Sequence, residues 1–211
     1  MTILRIEEMT YGVEDIIKCS EFLETWGLQK VSIKDNIALF KTYENQLIRL
    51  RFMNDPLLPP SYEEGPTMRE VIWGVDNQTT LDEIESELSK DREVKKDNDG
   101  KLHSYDDRQN YLGFQIANII QSEVSEGDYN FIESIDRLNE RSWPDDRVKP
   151  VRIGHLVYSI EARDYELAAS FYTDRLKFRI SDQTKDGGTF LRADGSNYHH
   201  NLFLFFQPRL Y

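Results

Sequence analysis

Three of the four histidines in the 211 residues sit where an imidazole could do chemistry. His155 lies in the apolar run VRIGHLVYSI, where it is the odd residue out. Taken alone it reads as a core histidine bonded to backbone. His199 and His200 are adjacent and open the run NLFLFF, so strand alternation sends one ring to each face and only one can share a face with His155. If both runs belong to one curved sheet, the two histidines converge on one small volume, the arrangement that metal-assisted chemistry needs. Two imidazoles do not complete a site for iron or manganese, which takes at least one carboxylate and usually another imidazole. His103, in GKLHSYDD, falls in a polar hairpin and reads as a solvated strand residue rather than a site candidate. Cys19 is the only cysteine, which excludes an intramolecular disulfide and a CxxC metal motif.

The elements that must position these rings recur three times along the chain. From Ile3 to Met53 the pattern is an apolar stretch, the amphipathic stretch EDIIKCSEFLETW with Ile16, Ile17, Phe22 and Leu23 at helical spacing, Gly27 as helix stop, and three alternating runs. From Met68 to Ala117 the order repeats, with Thr79 or Thr80 as helix N-cap and a DNDG turn. From Val151 to Gln207 it repeats once more, through the helix DYELAASFYTDRL and a turn at Gly187–Gly188. Each copy therefore reads β, α, β, β, β, and two copies side by side make a half-closed barrel. Glu8 in RIEEM and Ile72 in MREVI occupy the position that His155 holds in VRIGH, so the first two copies lack the imidazole.

The first two copies form an N-terminal domain over residues 1–120, residues 121–150 are a linker with a possible helix in YNFIESIDRLNE, and residues 151–211 are a single copy with no partner. Four prolines in DPLLPPSYEEGP forbid regular structure between the first two copies. The net charge of −12 repels phosphate backbones and anionic membranes, so nucleic-acid and lipid-surface roles are disfavoured. Hydrophobic residues at 39% with aromatics at 12% are enough to fold a core. No window approaches ~18 consecutive apolar residues, and the start has no basic region followed by an apolar stretch, so the cytoplasm is the default compartment.

The third copy, with GH at the start of its first strand, FYTDRLKFR across the helix end, FLRADGS, and HH before its last strand, resembles the metal-binding half of type I extradiol ring-cleavage dioxygenases. These belong to the vicinal oxygen chelate superfamily, with glyoxalase I and the bleomycin-resistance proteins. The resemblance implies an α+β fold of repeated βαβββ modules in half-open barrels, three of them visible. It implies extradiol (meta) cleavage of a catechol-type aromatic by Fe(II), with Mn(II) as the other candidate, and O2, in aromatic-compound catabolism. His155 is then the first iron ligand, His200 the acid/base residue beside the dioxygen site, and His199 its neighbour in the catalytic pair, either supporting it from behind or facing outward. Val157 and Phe190 would line the ring pocket. The implied partners are a small aromatic diol, dioxygen and further copies of the chain, with no nucleic acid and no membrane.

Two features depart from the family. Lys177 stands where an LGF glycine usually ends the helix. The family's remaining histidine and glutamate ligands lie in a fourth module, expected beyond Tyr211; the 211-residue form is therefore expected to be truncated and inactive, with its LFLFF strand unshielded. Two other functions stay open on the residues: a binding protein for aromatic ligands without turnover, and a glyoxalase-type isomerase using nickel, cobalt or zinc.

Overall fold

The computed structural model describes residues 1–61, 64–122, 149–161, 164–185 and 187–206. The expected linker helix in YNFIESIDRLNE lies outside the described residues.

In the first unit β1 (Ile3–Val13) leads into α1 (Ile16–Trp26), then β2 (Gln29–Lys34), β3 (Ile37–Lys41) and β4 (Leu47–Phe52). Asp15 caps α1 by accepting from the Lys18 amide, and Gly27 ends it with φ 102°, a left-handed conformation that glycine adopts without a Cβ clash. The second unit repeats the order with β5 (Thr67–Val75), α2 (Gln78–Leu88), β6 (Lys95–Lys96), β7 (Leu102–Tyr105) and β8 (Tyr111–Ile116). Its N-cap is Asn77, whose side chain accepts from the Thr80 amide at 3.0 Å, and not either threonine of the TT pair. Asn77 keeps the extended backbone of an N-cap and the helix begins at Gln78, which leaves both threonines inside it.

The third unit holds β9 (Leu156–Ile160), α3 (Tyr165–Ser170), β10 (Arg179–Thr184), β11 (Gly188–Arg192) and β12 (Leu202–Phe206). The long helix expected from DYELAASFYTDRL is split: after α3, residues Phe171–Arg175 form a wider π turn. Lys177 then takes φ 63° itself, so a lysine does what a glycine does elsewhere, at some strain.

In every unit the strands order as second, third, fourth, first, with the first and fourth parallel. β1 and β5 join antiparallel, which fuses units one and two into one eight-stranded sheet, β2-β3-β4-β1-β5-β8-β7-β6. Glu8 and Ile72, equivalent by sequence, face each other as Cα partners across that junction. The third unit keeps its own sheet, β10-β11-β12-β9. The architecture is thus the expected α+β assembly of three βαβββ units, open at both sheet ends.

Packing runs across the boundary between the sheets. One buried cluster takes Ile3, Trp73, Leu81, Ile84 and Phe114 from the first two units together with Leu156, Phe171, Tyr172, Phe178 and Leu204 from the third. Trp73 meets Phe178 edge to face at 5.1 Å. The Tyr172 hydroxyl donates to the buried Asp106 at 3.1 Å, and Arg175 pairs with Glu87 and Asp91 of the second unit. No described helix is long and apolar enough to cross a membrane.

Candidate functional site

Alternation along β9 buries Leu156, Tyr158 and Ile160 and leaves Val157 and Ser159 on the other face; His155 immediately precedes the strand rather than lying within it. His155 is exposed and is not the core histidine that its apolar neighbours suggest. The parallel register sets Val157 beside Phe203, and Phe203 beside Phe190 on β11, so one row of the sheet presents Val157, Phe203 and Phe190 together. Phe190 and Phe203 stack with ring centroids 4.2 Å apart and planes 10° from parallel.

His199 and His200 do not begin a strand. They lie in the loop before β12, which starts at Leu202, so strand alternation does not apply and the rings are not sent to opposite faces. His200 stands 4.6 Å from His155 and 4.8 Å from Phe190, centroid to centroid. His199 is 5.7 Å from Phe190, and its Nδ1 is 3.0 Å from Nδ1 of His200. The geometry therefore gathers all five candidates, His155, His200, His199, Val157 and Phe190, on the open face of the four-stranded sheet.

Asn201, which sequence reading passed over, holds the loop in place. It is almost fully buried; its Oδ1 accepts from the Ala193 amide at 3.1 Å and its Nδ2 donates to the Gly154 carbonyl at 3.4 Å. Its backbone accepts from Leu156 and donates to Leu191. One side chain thus ties the residue before His155 to the segment that carries His200. The only sequence signal was an asparagine between a histidine pair and an apolar run.

Burial lowers the pKa of His200 from its ordinary value, and the neighbouring His155 and His199 rings push it further down because a second positive charge there would be repelled. The ring is accordingly neutral at neutral pH and able to accept a proton. Its donor set is short of a metal site: three imidazoles stand together with no carboxylate, and among the described residues no group of three or more His, Cys, Asp or Glu side chains could hold a metal ion. The described residues alone do not fit the ferrous or manganous ion that the resemblance implies.

In the first two units the equivalent face is filled. Glu8 accepts from Arg49 Nε at 2.6 Å and pairs with Lys101 Nζ at 3.0 Å. Burial alone would raise the Glu8 pKa, but these two cations outweigh it and hold the carboxyl below its usual range. His103 is not merely solvated: its Nδ1 lies 2.7 Å from Glu70 and its Nε2 3.3 Å from Asp97, and the hydrogen bond to Glu70, above all, raises its pKa against the opposing effect of burial.

No protein-family model and no curated protein sequence matches the chain. Its structure is similar to that of a Mn(II)-bound glyoxalase from Novosphingobium aromaticivorans, with a TM-score of 0.69 and 18% identity over 98% of this chain and 63% of that one. It is also similar to the 2,3-dioxygenase LapB from Pseudomonas sp. KL28, with a TM-score of 0.70 and 13% identity over 99% of this chain and 72% of that one. An extradiol ring-cleaving dioxygenase from B. fuscum gives 0.67 and 15% over 97% of this chain and 54% of that one. These likenesses define the fold: the chain has the vicinal oxygen chelate fold of the glyoxalases and extradiol dioxygenases. It spans 63% of the length of the glyoxalase and 54% of the B. fuscum enzyme.

Proposed function

We propose that the chain carries the ring-binding and proton-transfer side chains of an extradiol ring-cleaving oxygenase acting on a catechol-type aromatic diol. The observation that carries this reading is that His200 lies 4.6 Å from His155 and 4.8 Å from Phe190, ring centroid to centroid, beside the exposed Val157. Val157, Phe190 and Phe203 supply an aromatic-lined wall for a planar ring. In the tautomer in which His200 Nδ1–H donates to His199, Nε2 of His200 is the acceptor for the proton of one diol oxygen, and the same atom can return that proton to a product oxygen. His155 presents an imidazole nitrogen beside it. The iron(II) or manganese(II) of the resemblance would need donors outside the described residues. As in the sequence reading, a cytoplasmic homo-oligomer is the setting we propose.

The test is turnover. The full-length protein, with the further donors that the site needs, loaded anaerobically with Fe(II) and then given air and 2,3-dihydroxybiphenyl, is expected to yield a yellow ring-fission product, and His200→Asn is expected to cut the rate about 10²-fold. No colour with any catechol sinks the oxygenase reading. A second reading, an aromatic-ligand-binding protein without turnover, draws on the missing carboxylate beside the imidazoles. Binding of the diol unchanged by a chelator, with no product, selects it.

A further inference from the structure

The stretch Val151 to His155 that leads into β9 has no regular structure, yet it sets where the first imidazole of the open face stands. Gln46, at the end of the turn between β3 and β4 in the first unit, holds it. The Gln46 side chain is almost fully buried and meets Ile153 as a neighbouring strand would. Its Oε1 accepts from the Ile153 amide at 2.7 Å, and its Nε2 donates to the Ile153 carbonyl at 3.0 Å. The same Nε2 donates to the Ile6 carbonyl of β1 at 2.6 Å, which ties the group to the eight-stranded sheet. Turning the amide over would set its oxygen against two carbonyls, so only one orientation serves. The backbone of the turn adds the Tyr43 amide to the Pro150 carbonyl at 3.2 Å and the Glu44 amide to the Val151 carbonyl at 2.9 Å.

The second unit grips the other end of β9 with the equivalent turn. Thr42 Oγ1 accepts from the Gln46 amide at 3.1 Å, and Asp106 Oδ1 accepts from the Asn110 amide at 2.9 Å. Asn45 and Gln109, each one residue before the end of its turn, take φ 69° and φ 65°. From this second turn Arg108 donates to the Ser159 carbonyl at 3.2 Å, and Asp106 accepts from the Tyr172 hydroxyl. His155 and Val157 lie between the two gripped residues, Ile153 and Ser159.

We propose that the two turns clasp β9 and that Gln46 is a positioning residue for His155. Unit one, which has no imidazole of its own, thereby sets the one that unit three presents. Two residues of extended chain, about 7 Å, separate Ile153 from His155, so a shift at Ile153 passes directly to the ring. Downstream the chain is fixed by the Leu156 amide on the Asn201 carbonyl, the residue that follows His200. The Gln46 bonds therefore decide how His155 meets His200. The inference deepens the function proposed above and rests on it only for what the imidazoles do.

Histidine-ring NMR and amide hydrogen exchange of the purified protein test this. The Ile153 amide, which lies in no strand, is expected to exchange slowly, and the ring protons of His155 and His200 to show a mutual Overhauser effect. Gln46→Met, similar in shape but without the bonds, is expected to abolish that effect and, in the full-length enzyme, to lower kcat about 10²-fold with little change in KM. Leu88→Ala, which removes a fully buried side chain from α2, is expected to leave the Overhauser effect in place. Survival of the effect in Gln46→Met, its loss in Leu88→Ala as well, or fast exchange of the Ile153 amide overturns the clasp. Should Gln46→Met fail to fold, Gln46→Asn decides: its amide is one methylene too short to reach Ile6 and Ile153 together, and the effect is again expected to vanish. Loss of the effect in the variant, with no ring fission by the unsubstituted enzyme, upholds the positioning while removing the oxygenase. Ring fission with the same kcat in Gln46→Met as in the unsubstituted enzyme removes the positioning while upholding the oxygenase.

Discussion

The same βαβββ hollow is built twice in this molecule and finished in opposite ways. In the eight-stranded sheet the position equivalent to His155 is Glu8, buried and neutralised by Arg49 and Lys101, while Ile72 and the His103–Glu70 pair fill the rest of the face. Gly113 admits Ile72: a Cβ there would come within 2.6 Å of the Ile72 Cδ1 atom. In the third unit the matching face holds His155, His200 and stacked phenylalanines, and stays open. The difference is a matter of charge. A carboxylate cannot be buried without cations, and once these are supplied the hollow is full. Imidazoles can be neutral, so they stand on an apolar face without counter-charges and leave room for a ligand.

The largest expected effect tests whether the two hollows are separate bodies. Phe178→Ala removes the ring that meets Trp73 across the boundary and should cost about 3–5 kcal/mol in urea unfolding. A single transition followed by both tryptophan fluorescence and far-UV dichroism is expected, because the buried cluster is shared. Two separated transitions would show that each sheet stands alone.

Next comes the plug itself. Glu8→Ala strands Arg49 and Lys101 and should destabilise by about 3 kcal/mol. His155→Ala, at the equivalent position but exposed, should change stability by no more than about 0.5 kcal/mol while removing an imidazole from the ligand face. Equal losses from the two variants would break the contrast between a filled and an open hollow.

The histidines of the two hollows should also give pH slopes of opposite sign. His103 has a raised folded pKa, so the folded state holds the proton more tightly; its contribution is complete below about 6.5, the unfolded value, and is lost as pH rises through the folded pKa. Lys95, its Cα partner on β6, and the carboxylates Glu70 and Asp97 are the charges on the elements around it. His200 has a lowered folded pKa, so the unfolded state binds the proton more readily, and stability rises with pH until the unfolded value is passed. Urea titrations between pH 5 and 8 should show that His103→Gln flattens the loss above about pH 6.5, and that His200→Gln flattens the gain below it. The same slope for both variants would contradict the pairing described for each ring.

The smallest effect is expected at Val157→Thr. This near-isosteric change on a side chain 47% exposed should leave stability within about 0.5 kcal/mol, yet weaken aromatic ligand binding measured by fluorescence. A large stability loss would mean that the face is packed rather than open.

Most of the elements were readable because they depend on local chemistry. Gly27 ends α1 for its own conformational reasons, and the alternating runs after it became β3 and β4, where every second residue is buried, while β2 pairs with β3 as an almost wholly exposed edge. The third helix was less readable. Its apolar pattern suits a helix throughout, but the helix widens into a π turn where Phe171 and Tyr172 enter the core shared with unit two, and that packing partner lies far away in sequence. The histidine pair follows the same rule: the run NLFLFF suggests a strand from its start, yet the hydrogen bonds of Asn201 hold a loop until Leu202 and bring both rings beside Phe190.

What the sequence determined by itself was the unit, its threefold repetition, and which unit carries imidazoles, since periodicity, turn residues and side-chain type are properties of neighbouring positions. Only the tertiary structure decided that β1 and β5 fuse two units into one sheet, that Glu8 meets cations from β4 and from the turn before β7, and that the loop held by Asn201 sets His200 against His155. Those outcomes depend on which distant groups become neighbours and on how much water remains between them, and no local pattern encodes either.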